Sequence, residues 1–178
     1  MRIRRLEAAC ARALGHDAEG PLSVAAPIKR SRRGGFDLRI SAQERDVLVT
    51  LPETLRALLV SGDADDPVLK RLYPSAFIDD EEASVEFDAI VHDDLLEQRL
   101  AAIDTMERTL QARHLTEDEL VAWLAALNDL RLMLGVRLAV TEEATPGDFA
   151  GDPEAENAFE LYRYLSYLEE HVVAALSG

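Results

Sequence analysis

Only one of the 178 residues is a cysteine, Cys10. That excludes an intramolecular disulfide and any cysteine-rich metal site. The four histidines, His16, His92, His114 and His171, are scattered, and no two stand three or four residues apart. A zinc-type centre needs clustered ligands, so none is expected. Glycine is sparse too. No glycine-rich phosphate loop occurs, and Gly34-Gly35 reads as a turn or hinge. No apolar run approaches the roughly 18 residues of a membrane span. The opening MRIRR is basic, but no apolar segment follows it, so a secretory signal is not expected and a cytoplasmic location is the default. No serine sits in a tight elbow motif with a histidine partner. The acidic stretch SAFIDDEEASVEFD lacks the spacing and glycine of a calcium loop and reads as a charged helix start. With no catalytic apparatus or cofactor motif in view, a non-enzymatic protein without cofactors is expected.

Positive charge is scarce and unevenly placed. Lys and Arg number 19 against 34 Asp and Glu, a formal net charge of −15. Residues 1–35 hold 8 cations and 3 carboxylates, net +5, which leaves 11 and 31, net −20, for residues 36–178. The chain therefore divides into a basic, partly flexible N-terminal arm (1–35) and an acidic domain (36–178). An acidic body is repelled by nucleic-acid phosphates and drawn to basic protein surfaces. Duplex DNA is thus not expected on residues 36–178. Only the arm, through Lys29, Arg30, Arg32 and Arg33, carries charge suited to nucleic acid, and the same run also reads as a solvated tail.

Hydrophobic residues make up 48% of the chain, enough for one domain with a proper core. Their spacing predicts an all-α bundle of about four main helices with a short N-terminal strand or extended segment. A short helix is possible over the first 14 residues. Phe36, Leu38 and Ile40 alternate with Asp37 and Arg39, the period of a half-buried strand. It could pair with a segment such as Leu22 to Ala25 or pack as extended chain. Ser41 and Glu44 form a capping box for a helix that Pro52 kinks or splits. Pro67 opens a short helix and Pro74 follows it. A long acidic helix runs from about Ser84 to Arg113, with Phe87, Ile90, Val91, Leu96, Leu100, Ile103, Met106 and Leu110 on its apolar side. Thr116 and Glu119 cap the next helix, which continues to about Val140. Asp152 and Pro153 start the last, whose seam is Leu161, Leu165, Leu168, Val172 and Ala175.

The helix after Thr116 contains the stretch WLAALNDLRLMLGVRL. Leu120, Leu124, Leu127, Leu134 and Leu138 form a stripe in which Arg131 fills the vacant step, with Asn128 and Gly135 beside it. Trp123 widens the apolar arc. Glu119, Ala122, Asp129 and Arg137 fall on the opposite, expected wet face. A guanidinium stays charged, so a buried Arg131 needs a carboxylate from a neighbouring helix; Asp94, Glu97, Asp104, Glu160 and Glu169 are the candidates. Asn128 would bond a backbone carbonyl or the same carboxylate, and Gly135 would let another segment pass close. The alternative is that Asn128 and Arg131 open onto a groove that receives an acidic group from a partner. Cys10 reads either as a thiolate favoured by Arg4, Arg5 and Arg12 or as a small apolar residue beside Ile3, Leu6 and Leu14.

FDLRISAQERDVLVTL, DPVLKRLYPSAF, LTEDELVAWLAALNDLRLMLGVRL and YRYLSYLEEHVVAAL together resemble an actinobacterial family long catalogued as a domain of unknown function, the oxidative-stress regulator (AosR) family. The likeness covers about residues 36–176. Its most specific block is Trp123 with NDLR and Gly135. The resemblance implies a cytosolic regulatory protein that tunes transcription under oxidants through protein contacts; together with the acidic charge, the expected partner is a transcription component with a basic surface. Genes of the family commonly lie near that of a protease adaptor, which implies an adaptor in protein turnover as an alternative; a DNA-binding regulator using the basic arm is another. Redox sensing by an internal cysteine pair does not transfer, because Cys10 stands alone and outside the matched stretch. The oligomeric state is left open.

Overall fold

A computed structural model describes residues 26–63, 65–73 and 81–178, with the side chains of 81–91 left out. The N-terminal helix expectation, Leu22–Ala25, Cys10, and the apolar side chains Phe87, Ile90 and Val91 lie outside what it describes. Among the described residues the chain forms six α-helices and one small sheet. It is mostly helical, as the apolar spacing implies.

The sheet corrects the strand expectation. Strand β1 (Ile28–Arg30) and strand β2 (Phe36–Leu38) form an antiparallel hairpin, with Ile28 opposite Leu38 and Arg30 opposite Phe36. The partner of Phe36–Leu38 is therefore the basic segment itself, and a boundary after residue 35 falls inside the hairpin. Gly34 (φ 87°) and Gly35 (φ 63°) supply the left-handed backbone of the turn, which Ser31 N–H closes by donating to Gly35 O at 2.9 Å. A third strand, β3 (His114–Leu115), adds to the other side of β2, with Phe36 opposite Leu115. A side chain at Gly35 would strike Leu115 O at 2.4 Å, so the glycine also makes room for β3. Two residues are too short for a periodic signal, and this strand had no signature in the sequence.

Helix α1 (Ala42–Leu48) begins at Ser41, with both arms of the Ser41–Glu44 capping box formed. Pro52 splits the expected long helix: α1 stops, and α2 (Leu51–Ser61) restarts with the proline in its first turn, where the missing N–H costs nothing. Helix α3 (Pro67–Leu72) has Asp66 as its N-cap. Helix α4 (Glu81–Thr109) ends a few residues before the expected Arg113, because the chain turns there into β3. Helix α5 (Glu117–Arg137) opens on the Thr116–Glu119 capping box and stops at Leu138, after which Ala139 takes φ 52°. A 3-10 turn (Pro146–Phe149) leads to helix α6 (Pro153–Ser177), capped by Asp152.

One apolar cluster unites these elements. Phe36, Leu38 and Ile40 from the sheet meet Val47, Leu51 and Leu55 from α1 and α2, Ile103 and Met106 from α4, and the seam Leu161, Leu165, Leu168 and Val172 of α6. Helix α5 lies at the centre, packed by α2, α3, α4 and α6. The placement of its wet face is corrected accordingly. Val121 and Ala125 are exposed, whereas Asp129 is buried. Of the residues expected to face water, Arg137 is exposed and Glu119 and Ala122 are partly buried, while Asp129 lies inside against Arg99 of α4.

Candidate functional site

Trp123, Asn128, Asp129, Arg131 and Gly135 are all on α5, and the structure sends them to different neighbours. Trp123 is fully buried, and its Nε1 donates to Thr109 Oγ1 on α4 at 2.8 Å. That hydroxyl in turn donates to Thr105 O at 2.6 Å, so the indole's polar edge is satisfied inside the core. Gly135 faces α6: a methyl there would come within 3.3 Å of the Tyr162 ring. Tyr162 continues a row of rings through Phe159, 6.0 Å away, to Phe149, a further 4.3 Å on.

Arg131 reaches α6 as well. Its Nε lies 2.5 Å from Glu169 Oε2, a close charge contact whose alignment falls short of a hydrogen bond. Both side chains are about three-quarters buried or more. Of the five candidate carboxylates, Glu169 is the one that meets it. Asn128 is only partly buried, and its side chain bears on the neighbouring Asp129, whose carboxyl it helps to hold down.

Asp129 is the residue whose role the pattern concealed. Its side chain is only 3% exposed, and it accepts from Arg99 Nη1 of α4. Arg99 Nη2 donates to Leu72 O at the end of α3 at 2.7 Å, and the guanidinium lies 5.2 Å from the centre of the Tyr73 ring. His92 stacks on the far part of this group, 4.3 Å from Tyr73. Burial pushes the Asp129 carboxyl above its ordinary range, and Arg99 works against that. One guanidinium thus ties α3, α4 and α5 together. Nothing near Arg99 marked it in the sequence, but a carboxylate between Leu127 and Leu130 was a signal that a cation had to follow it inward.

Arg137, at the end of α5, is exposed but bonded to Asp66 Oδ2 at 2.5 Å. Burial pushes the Asp66 carboxyl up, but the Val68 N–H and Arg137 outweigh it and hold the group below its ordinary value. Another buried cation, Arg45 of α1, donates to Leu110 O where α4 leaves its helix. Desolvation lowers its pKa, and Arg113 adds to that. The Tyr164 hydroxyl nearby is pushed strongly upward by burial and then by Glu44.

Lys29, Arg30, Arg32 and Arg33 stand together on the β1–β2 hairpin, all exposed. Arg30 lies over the Phe36 ring at 4.9 Å. On the outer face of the sheet Asp37 meets His114 Nδ1 at 3.2 Å, and this bond is the main reason its carboxyl sits below the ordinary value. Among the described residues no group of three or more His, Cys, Asp or Glu side chains could hold a metal ion. No described helix is long and apolar enough to cross a membrane. The end of α5 borders an open depression lined by Leu138, Thr141, Asp148 and Phe149.

Comparison with known proteins places this arrangement. The chain is 32% identical over 129 residues to the putative oxidative stress regulator AosR of Mycobacterium leprae, covering 63% of this chain and 59% of that one. It is 32% identical over 130 residues to the oxidative stress regulator AosR of Mycobacterium tuberculosis and of Mycobacterium bovis, covering 64% of this chain and 59% of each. The matched part thus spans about three-fifths of the length of these relatives. No solved structure matches. The family model described as Domain of unknown function (DUF2017) matches residues 25–176, from just before β1 to the end of α6, and the chain belongs to that family.

Proposed function

We propose that this protein is a non-enzymatic cytoplasmic regulator in the response to oxidants, acting through contacts with a transcription component that presents a basic surface. The observation that carries the reading is the likeness to proteins named as oxidative stress regulators, beside a family match over residues 25–176. The disposition of charge supports it. Helix cations are largely spent on internal ties: Arg56 with Asp104, Arg99 with Asp129, Arg131 with Glu169, Arg137 with Asp66. The surplus carboxylates are left outward, with Glu142, Glu143, Asp152, Glu154 and Glu156 exposed around the α5–α6 connection. Such a surface steers basic partners toward itself.

The test is affinity capture with the full chain from oxidant-treated and untreated cytosol, followed by mass spectrometry. A transcription component should be retained at low salt, released by about 0.5 M salt as charge contacts are screened, and enriched after oxidant. Capture that is indifferent to oxidant, or lacks any transcription component, overturns the reading.

A further inference from the structure

Among the described residues the cations without a carboxylate partner gather on the hairpin, with Arg71 on α3 and Arg113 just before β3 the two others. On the helices, Arg56, Lys70, Arg99, Arg108, Arg131, Arg137 and Arg163 each pair with a carboxylate, Arg45 with a carbonyl, and Arg71 is the exception. On the hairpin, Lys29, Arg30, Arg32, Arg33 and Arg39 are all exposed, and none has a carboxylate within ion-pair distance among the described residues. The one carboxylate of the hairpin, Asp37, is engaged by His114. Five cations against one carboxylate leave residues 26–40 at +4 on a protein of net −15. In so acidic a chain, carboxylates to neutralise these heads were plentiful, yet no described carboxylate pairs with them.

We propose that the β1–β2 hairpin is a phosphate-contacting surface for duplex DNA. Three features favour DNA over an acidic protein. The apolar side chains of the hairpin, Ile28, Phe36 and Leu38, are all turned into the core. What faces outward is cationic heads without the apolar anchor that protein hot spots need. Four of the five are arginines, whose planar fork suits phosphate oxygens. And Arg32 and Arg33 stand at the Gly34-Gly35 tip of a two-stranded ribbon, a shape that a DNA groove admits. The acidic helices repel the same backbone, so contact is confined to the hairpin. Binding by the chain alone is then weak, in the non-specific range of roughly 10⁻⁴–10⁻⁶ M. This surface does not depend on the protein-partner reading, and capture of a transcription component can succeed or fail independently of it.

The full chain is titrated against a labelled mixed-sequence duplex over a series of salt concentrations. The comparison is the Lys29→Ala/Arg32→Ala/Arg33→Ala variant, its fold checked by circular dichroism melts. The parent should bind with a steep salt dependence. Each engaged cation adds about 0.9 to the log–log slope, so the variant should be shallower by about 2.7 and on the order of tenfold or more weaker at low salt. Arg32→Lys/Arg33→Lys, which keeps the charge, should retain the parent's slope. The inference is overturned if the parent does not bind at low salt or if the alanine variant matches it. It is equally overturned if polyglutamate of matching charge competes as well as unlabelled duplex, which would assign the hairpin to an acidic protein.

Discussion

Arg131, Arg99 and Arg137 all reach carboxylates, yet their environments differ, and so should the cost of losing them. Arg99 meets a carboxylate that is 3% exposed, caps the Leu72 carbonyl and covers Tyr73. Arg99→Ala strands a buried charge and should cost about 3–5 kcal/mol. Arg131→Ala leaves Glu169 partly solvated and should fall between, at about 1–3 kcal/mol. Arg137→Ala, on an exposed side chain, should cost under about 1 kcal/mol. Urea melts with unchanged slopes rank the three; an Arg131 loss equal to that of Arg137 would return Arg131 to the surface residues. At this scale the sequence was half legible. The arginine among leucines announced a carboxylate on another helix, and Glu169 was within reach. Asp129 misled, because a carboxylate on a helix is assigned to solvent unless its cation is visible. Arg99 is thirty residues away, on a helix whose register against α5 only packing decides.

Secondary structure obeyed its local signals wherever those were chemical. Ser41, Thr116 and Asp152 cap helices as their side chains dictate, and Pro52, Pro67 and Pro153 stand in first turns. The illegible elements are those built by distant partners: β1, whose two exposed cations look like tail, and β3, two residues long. The caps carry a pH signature. The Thr116 N–H holds the Glu119 carboxyl below its ordinary 4.5, and Asp66 sits below its ordinary 3.8 for the reasons given above. A carboxylate with a depressed folded-state pKa contributes stability that is full above its unfolded value and lost as pH falls through the folded one. Stability should therefore decline below about pH 4.5. Asp129, lifted by burial, runs the other way and offsets part of the loss. Glu119→Gln, which keeps a side-chain oxygen for the Thr116 N–H, should cost under about 1 kcal/mol at neutral pH and flatten the acid limb, since the titrating group with the depressed pKa is gone. Thermal melts from pH 7 to 3 compare the two proteins; parallel curves would detach the box from acid stability.

For the whole molecule, the segregation of charge and the single cysteine set what oxidation can do. With Cys10 alone, no intramolecular disulfide can form. Oxidant should leave the fold of the monomer unchanged and yield at most a disulfide-linked dimer or a mixed disulfide. Both should be absent from Cys10→Ser. Non-reducing gels and intact mass read this directly. If Cys10→Ser preserves the full oxidant response in cells, the chain is a relay for a signal sensed elsewhere.

The small sheet also sets an order of assembly in time. Ile28 and Leu38 are ten positions apart, whereas Asp37 and His114 are separated by 77. By the logarithmic cost of closing a flexible loop, adding β3 to an otherwise unfolded hairpin is about 1.8 kcal/mol dearer than closing the hairpin itself. The connection from α4 to α5 is residues 110–116 and that from α5 to α6 residues 138–152, both far shorter than the 77 positions between Asp37 and His114. On closure cost alone, folding is expected to start separately in the basic hairpin and in the helices, with the two-residue strand between them the last seam to shut.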